Sequence, residues 1–177
     1  STLAPGVTQT INQAYRDDGK YVKYFVATVD LSDPNVGVQA TYGGAQGVTP
    51  GVSKMTQQIK DMTAKHTNPE DTANYIENYA IVAGVNGDGY NVGTGAPSGA
   101  HVMNGVAGFG VTKAGNSPWF AWFEDGTAAC GRNNTDWDAA VAAHGAVKEA
   151  IGGFQLLMKD GEVIAPGTAA TQGGSTY

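Results

Sequence analysis

Between Val85 and Gly105 the chain reads VNGDGYNVGTGAPSGAHVMNG, and six of these positions are glycine. A segment so rich in glycine does not hold a helix, because each glycine costs about 1 kcal/mol there relative to alanine. Glycine instead permits positive φ and lets a second backbone or a ligand approach the main chain closely. The apolar run Ala80 to Val85 just before it reads as a short strand, so the segment opens where a strand ends. Asn86, Asp88, Asn91 and Ser98 stand between the glycines and supply a carboxylate, two amides and a hydroxyl. That mixture suits a polar-ligand site. It equally suits a hairpin whose Asn and Asp side chains satisfy only local turns.

The rest of the composition agrees with a glycine-punctuated β-rich domain. The 177 residues are 41% hydrophobic and 15% charged, which is enough chain to bury one core. A net charge of −6 and the absence of any Lys/Arg-rich run exclude a nucleic-acid backbone as partner. Cys130 is the single cysteine, so no intrachain disulfide forms. No apolar run approaches the length of a membrane span. The opening STLAPGV carries no signal-like apolar region, as expected of a mature, processed product.

Lys20 to Asp30, KYVKYFVATVD, predicts a strand buried on both faces, followed by a turn at Ser32–Asn35 and a returning strand from Val36 to Tyr42. Thr49-Pro50 predicts a helix start, with Met55, Ile59 and Met62 on its inner face. Asn68-Pro69-Glu70-Asp71 predicts a second helix start. Thr135 is read as the cap of a third helix, from Asp136 to about Ile151, ended by Gly152-Gly153. Two Asp-Gly turns, at Asp125-Gly126 and Asp160-Gly161, predict hairpins of type I′ chemistry. The aromatics Trp119, Phe120, Trp122 and Phe123 alternate along the first hairpin. One pair is core, and the other is a second packing face in preference to a sugar platform. Together these elements predict an α+β fold: a mostly antiparallel sheet with about three helices packed around it. Residues 1–165 form the domain, and residues 166–177 read as a loop or linker tail.

Several familiar motifs are excluded. The glycine pairs around Thr94 and Phe109 lack the rest of a dinucleotide fingerprint, and no lysine follows Gly99 as a phosphate loop requires. Asn86, Asp88 and Asn91 lack the closing glutamate of an EF-hand, and Ser98 is not in a nucleophile elbow. His66, His101 and His144 show no metal-ligand spacing. His66 reads as a solvated helix end and His144 as a helix boundary, while His101 follows the glycine segment directly. Cys130 reads as a small core hydrophobe and Arg132 as a surface cation near the site. No cofactor is expected. Ca²⁺ is compatible with such a loop, but no specific motif supports it.

Three stretches carry a resemblance. The run V-N-G-D-G-Y-N, T-G-A-P-S-G and M-N-G within Val85 to Gly105 resembles the signature of the phosphodiester glycosidase family. Ala150 to Val163, AIGGFQLLMKDGEV, is similar to that family's glycine-pair strand and Asp-Gly hairpin, and the opening Ala4 to Val7 is a weaker third match. Gly89 stands where the family usually has an aromatic residue, which implies a more open site floor. The family's later arginine-threonine and Asp-Gly-Gly-Gly-Ser segments have no counterpart here. The resemblance therefore implies the N-terminal part of the family domain: a second chain or a homo-oligomer completes the sheet, or the sequence is one part of a longer protein, or the chain is a shortened relative that lost catalysis.

It further implies a secreted or cell-surface hydrolase that cleaves a sugar-1-phosphodiester or related glycosidic bond. Asp88 and Asn86 are the catalytic candidates. Gly87, Tyr90, Asn91, Ser98, His101, Gly152 and Gly153 are the candidates for binding a carbohydrate or sugar phosphate. The alternative is a non-catalytic surface domain that binds glycan or self-assembles.

Overall fold

In the computed structural model, which describes residues 1–45, 49–108 and 117–164, the Trp119–Phe123 run becomes the spine of the main sheet. Strands β1 (Thr2–Ala4), β2 (Val7–Tyr15) and β3 (Tyr21–Val29) form a first, three-stranded antiparallel sheet. Strands β4 (Gly43–Ala45) and β5 (Thr49–Gly51) pair with each other, and helix α1 covers Met55–Thr67. Then come β6 (His101–Met103), β7 (Val106–Ala107), β8 (Trp119–Phe123), β9 (Ala128–Gly131), α2 (Asn134–His144) and β10 (Val147–Gly152). A last hairpin joins β11 (Met158–Lys159) to β12 (Glu162–Val163). The main sheet runs β7-β6-β10-β8-β9, and every pair in it is antiparallel.

Alternation along β8 sorts the aromatics as expected. Trp119, Ala121 and Phe123 are buried on one face, where they meet Ala150, Val102 and the α2 residue Trp137. The Trp119 and Trp137 rings meet edge to face at 5.1 Å. Phe120 and Trp122 are half-buried on the other face, which residues 36–42 cross. A Cβ at Gly37 would lie 2.9 Å from the Trp122 ring, so only glycine fits under that indole. Two contacts continue the same cover: the Ala40 N–H donates to the buried Glu149 carboxylate at 2.9 Å, and Tyr42 stacks edge-on against His101 at 5.3 Å.

The described residues hold two helices rather than about three. After Asn68 the chain turns instead: Asn68 Oδ1 accepts from Glu70 N in an Asx turn, the Asp71 carbonyl accepts from Asn74 N and Tyr75 N, and Asn74 Nδ2 donates to both Asp71 side-chain oxygens. Such side chains offer the backbone partners that compete with a helix. Helix α1 begins at Met55, after Lys54, because Thr49–Gly51 is spent on the β4 ladder. Its inner stripe is Met55, Ile59, Met62 and His66. His66 is buried, not solvated, and its Nδ1 lies 2.7 Å from the Asn74 carbonyl. Helix α2 stops at His144, where Gly145 at φ 84 caps it, so Val147–Gly152 is strand and not helix.

Three expected strands also differ. Val36–Tyr42 and Ala80–Val85 join no ladder among the described residues. β3 is not buried on both sides: seven of its nine residues are exposed, because nothing described covers either face of the β2–β3 hairpin. The Glu124–Gly126 turn has only Gly126 at positive φ, the three-residue loop with a bulge, whereas Asp160 (φ 52) and Gly161 (φ 81) make the expected type I′ turn. Cys130 is exposed on edge strand β9 and is not a core residue. The tail, residues 166–177, lies outside the described residues.

Candidate functional site

The main sheet brings the end of β10 beside the segment that leads into β6, and Asp88 is seated between them. An ideal Cβ built on Gly99 would overlap Asp88 Oδ2, and one on Gly152 would reach the same oxygen at 2.5 Å. The Cβ of Gly152 would also lie 3.1 Å from the Gly99 Cα. Both glycines are therefore needed for bulk, since neither has positive φ. Gly87 fits for the same reason: a Cβ there would run into the Ile151 side chain. The glycine-rich segment and the Gly152-Gly153 pair, far apart in sequence, thus converge on one carboxylate.

Asp88 Oδ2 is fully buried and accepts no hydrogen bond, although the residue as a whole is only half-buried. Burial lifts its carboxyl above the ordinary range, while the backbone N–H groups of Gly99 and of Asp88 itself pull it back in part. Oδ2 alone of its two oxygens is buried without a partner.

The other predicted residues divide. Gly152 and Gly87 touch the Asp88 seat. Ser98 is exposed beside it, with its N–H donating to the Gly89 carbonyl at 2.9 Å, and Tyr90, 49% exposed, bridges to Pro97. These contacts fold residues 89–98 back on themselves. Asn91 caps that turn, since its Oδ1 accepts from Gly93 N and Thr94 N, so its amide is used locally. Asn86 is exposed at the entry to the segment. Gly153 spends its N–H on the Pro118 carbonyl at 2.9 Å.

His101 pairs with Ile151 across β6 and β10 and is almost fully buried, 2% exposed, beneath Tyr42. Neither ring nitrogen has a hydrogen-bond partner of good geometry. Burial pushes its pKa down, opposed by the Thr41 backbone. A Cβ at Gly108 would lie 2.5 Å from Nδ1, so the pocket closes tightly on that side.

Two residues at or near the site escape sequence reasoning. Phe154, 61% exposed, lies with its ring 3.5 Å from where a Gly89 Cβ would be, so an aromatic surface borders the Asp88 seat after all. Glu149 is 3% exposed, and its two oxygens take the Ala40 and Asn104 N–H groups, each at 2.9 Å. It ties the 36–42 cover and the β6–β7 turn to β10. Reading Val147–Gly152 as helix hides both, because Glu149 then falls on a helix surface and Phe154 after a helix stop.

A separate groove of about 440 Å³ lies between α2 and β9, lined by residues that include Trp119, Cys130, Asp136 and Lys159. It contains the Lys159–Asp136 ion pair at 3.2 Å and none of the residues around Asp88. Among the described residues no three His, Cys, Asp or Glu side chains cluster as a metal site would need, and no helix is long and apolar enough to cross a membrane. No protein-family model matches the chain, and no curated protein sequence matches it either.

Proposed function

We propose that the chain is a carbohydrate-active domain that hydrolyses a sugar-1-phosphodiester or related glycosidic bond in an extracellular glycan, acting in the secreted or cell-surface space, as members of the phosphodiester glycosidase family do. The observation that carries this reading is the Asp88 carboxylate, held half-buried between Gly99 and Gly152 at two strand ends and beside the exposed Ser98. Positive charge growing at an anomeric carbon is what such a carboxylate stabilises best. A phosphate leaving group departs without strong acid help, so one carboxylate carries most of the electrostatic work. Asn86 and Ser98 lie on the exposed side, where sugar hydroxyls need directional partners. Phe154 and Tyr90 offer the apolar surface against which a sugar ring packs. His101, buried beneath Tyr42, supports the floor of the seat.

The test is release of sugar from a synthetic N-acetylglucosamine-1-phosphodiester by the purified protein, alone and with any chain that co-purifies. Turnover supports the reading. Its absence in both preparations sinks it. A second reading, a non-catalytic domain that assembles through its sheets, is favoured by the exposed β2–β3 hairpin, where Ile11, Tyr24 and Phe25 are 54%, 48% and 60% exposed.

A further inference from the structure

Among the described residues the outer edge of β3 is unpaired along all nine positions, and its hydrogen-bonding phase can be read from the hairpin ends. The Arg16 N–H donates to the Lys20 carbonyl at 2.9 Å, and the Asp30 N–H to the Gly6 carbonyl at 2.9 Å. Pairing between these ends is continuous from Tyr15–Tyr21 to Val7–Val29, without a bulge. Because hydrogen-bonded and non-hydrogen-bonded pairs alternate, Val22, Tyr24, Val26 and Thr28 bond inward to β2. Tyr21, Lys23, Phe25, Ala27 and Val29 then turn their N–H and C=O groups outward. Among the described residues nothing pairs with them.

Edge strands are ordinarily blunted by proline, bulges or several charges. β3 has no proline, no bulge and one charge, Lys23. Its side chains are apolar and exposed on both faces: Phe25 60%, Tyr21 51%, Tyr24 48% and Val26 41%.

We infer that β3 is a self-association edge, pairing antiparallel with β3 of a second copy about a two-fold axis through Phe25. This register is the one in which all nine residues overlap. It sets Phe25 against its own copy as a hydrogen-bonded pair, Tyr24 against Val26, and Tyr21 against Val29. Lys23 falls opposite Ala27, so the two lysines do not meet, whereas a register centred on Lys23 would oppose them. One step beyond the strand, Lys20 of each copy falls opposite Asp30 of the other, and the symmetry makes this contact twice. Both residues are exposed at the hairpin ends. The outcome is a six-stranded sheet with an Ile11–Phe25–Phe25–Ile11 line across one face, an isologous contact of the kind two-fold dimers use. The exposed side chains of β3 offer less than the roughly 800 Å² per partner of a standard interface, so the dimer is concentration-dependent. The inference does not depend on whether Asp88 turns over a glycan.

Sedimentation equilibrium under reducing conditions, which silence the exposed Cys130, reads the result up to about 0.5 mM protein. The weight-average mass is expected to rise from 18.2 kDa towards twice that value. Ala27→Pro removes one outward N–H and no β2–β3 bond, and is expected to hold the protein monomeric with unchanged far-UV circular dichroism. Lys20→Glu is expected to weaken the dimer at least tenfold, and Lys20→Glu with Asp30→Lys to restore it. A monomer throughout the range overturns the inference. So does a dimer indifferent to Ala27→Pro, or a charge swap that fails to rescue, or saturation of the edge by a chain of different sequence.

Discussion

Replacing Gly99 with alanine probes the seat of Asp88 without touching the carboxylate itself. The added Cβ overlaps Asp88 Oδ2 and comes within 3.2 Å of the Gly152 Cα, so either the carboxylate or the strand end must shift. Overpacking of this kind costs about 1–3 kcal/mol. Gly99 does not have positive φ, so the substitution also stabilises by about 0.4–1 kcal/mol through a less flexible unfolded chain. The net expectation is a loss of roughly 1–2 kcal/mol, or a fall in Tm of about 2–8 °C for a chain of this size. In an Asp88→Ala background the offending oxygen is gone, and the same Gly99→Ala change is expected to be neutral or slightly stabilising. Urea unfolding of the four proteins in the cycle gives the coupling energy, expected at about 1–3 kcal/mol. An equal cost in both backgrounds would refute the packing of Asp88 between Gly99 and Gly152, and with it the shape of the site.

Other expectations follow from single contacts. Burial raises the Glu149 carboxyl above its usual 4.5, despite the two backbone N–H donors. The folded state thus binds this proton more tightly than the unfolded chain. Its contribution is full below the ordinary carboxyl range and is lost as pH rises through the raised value. Glu149→Gln should therefore flatten the fall in stability across that window, read as the wild-type minus variant difference in urea unfolding; an unchanged slope would count against it. Phe154→Ala should weaken binding of a sugar ligand by about 1 kcal/mol with little loss of stability, because the ring is 61% exposed. Titration by NMR reads this directly, and unaltered affinity removes Phe154 from the site. Trp137→Ala should cost about 3–5 kcal/mol, since it empties the centre of the α2–sheet interface; a loss below about 1 kcal/mol would mean that α2 is not anchored there.

Two strands of the main sheet, β8 and β9, and the separate β11–β12 hairpin were legible from pattern and turn chemistry. The alternation Trp119–Phe123 and the Asp-Gly turns announce two hairpins, and the structure places both. The convergence of Gly87, Gly99 and Gly152 on Asp88 was half legible. The glycines stand out in the sequence, but whether they serve φ or bulk depends on what packs against them. Strand β10 was hidden because Val147–Ile151 contains good helix formers following a genuine helix, and Gly145 was the stop signal that separates the two. The helix expected after Asn68 fails for a local reason, the Asx turn in which Asn68 Oδ1 takes the Glu70 N–H. Burial of β3 could not be read from residue type at all, since a run of Val, Tyr and Phe looks the same whether or not another layer covers it.

The account turns on Asp88 as the group that faces the reacting sugar. Its most direct test is the rate at which Asp88→Asn releases sugar from an N-acetylglucosamine-1-phosphodiester, measured beside the unaltered protein and checked for retained fold by Tm. Asparagine keeps the size of the side chain between Gly99 and Gly152 but cannot carry the charge. The prediction is a loss of at least a thousandfold in kcat, about 4 kcal/mol, with Tm within a few degrees of the unaltered protein. An active protein whose Asp88→Asn variant turns over at the same rate would contradict the account.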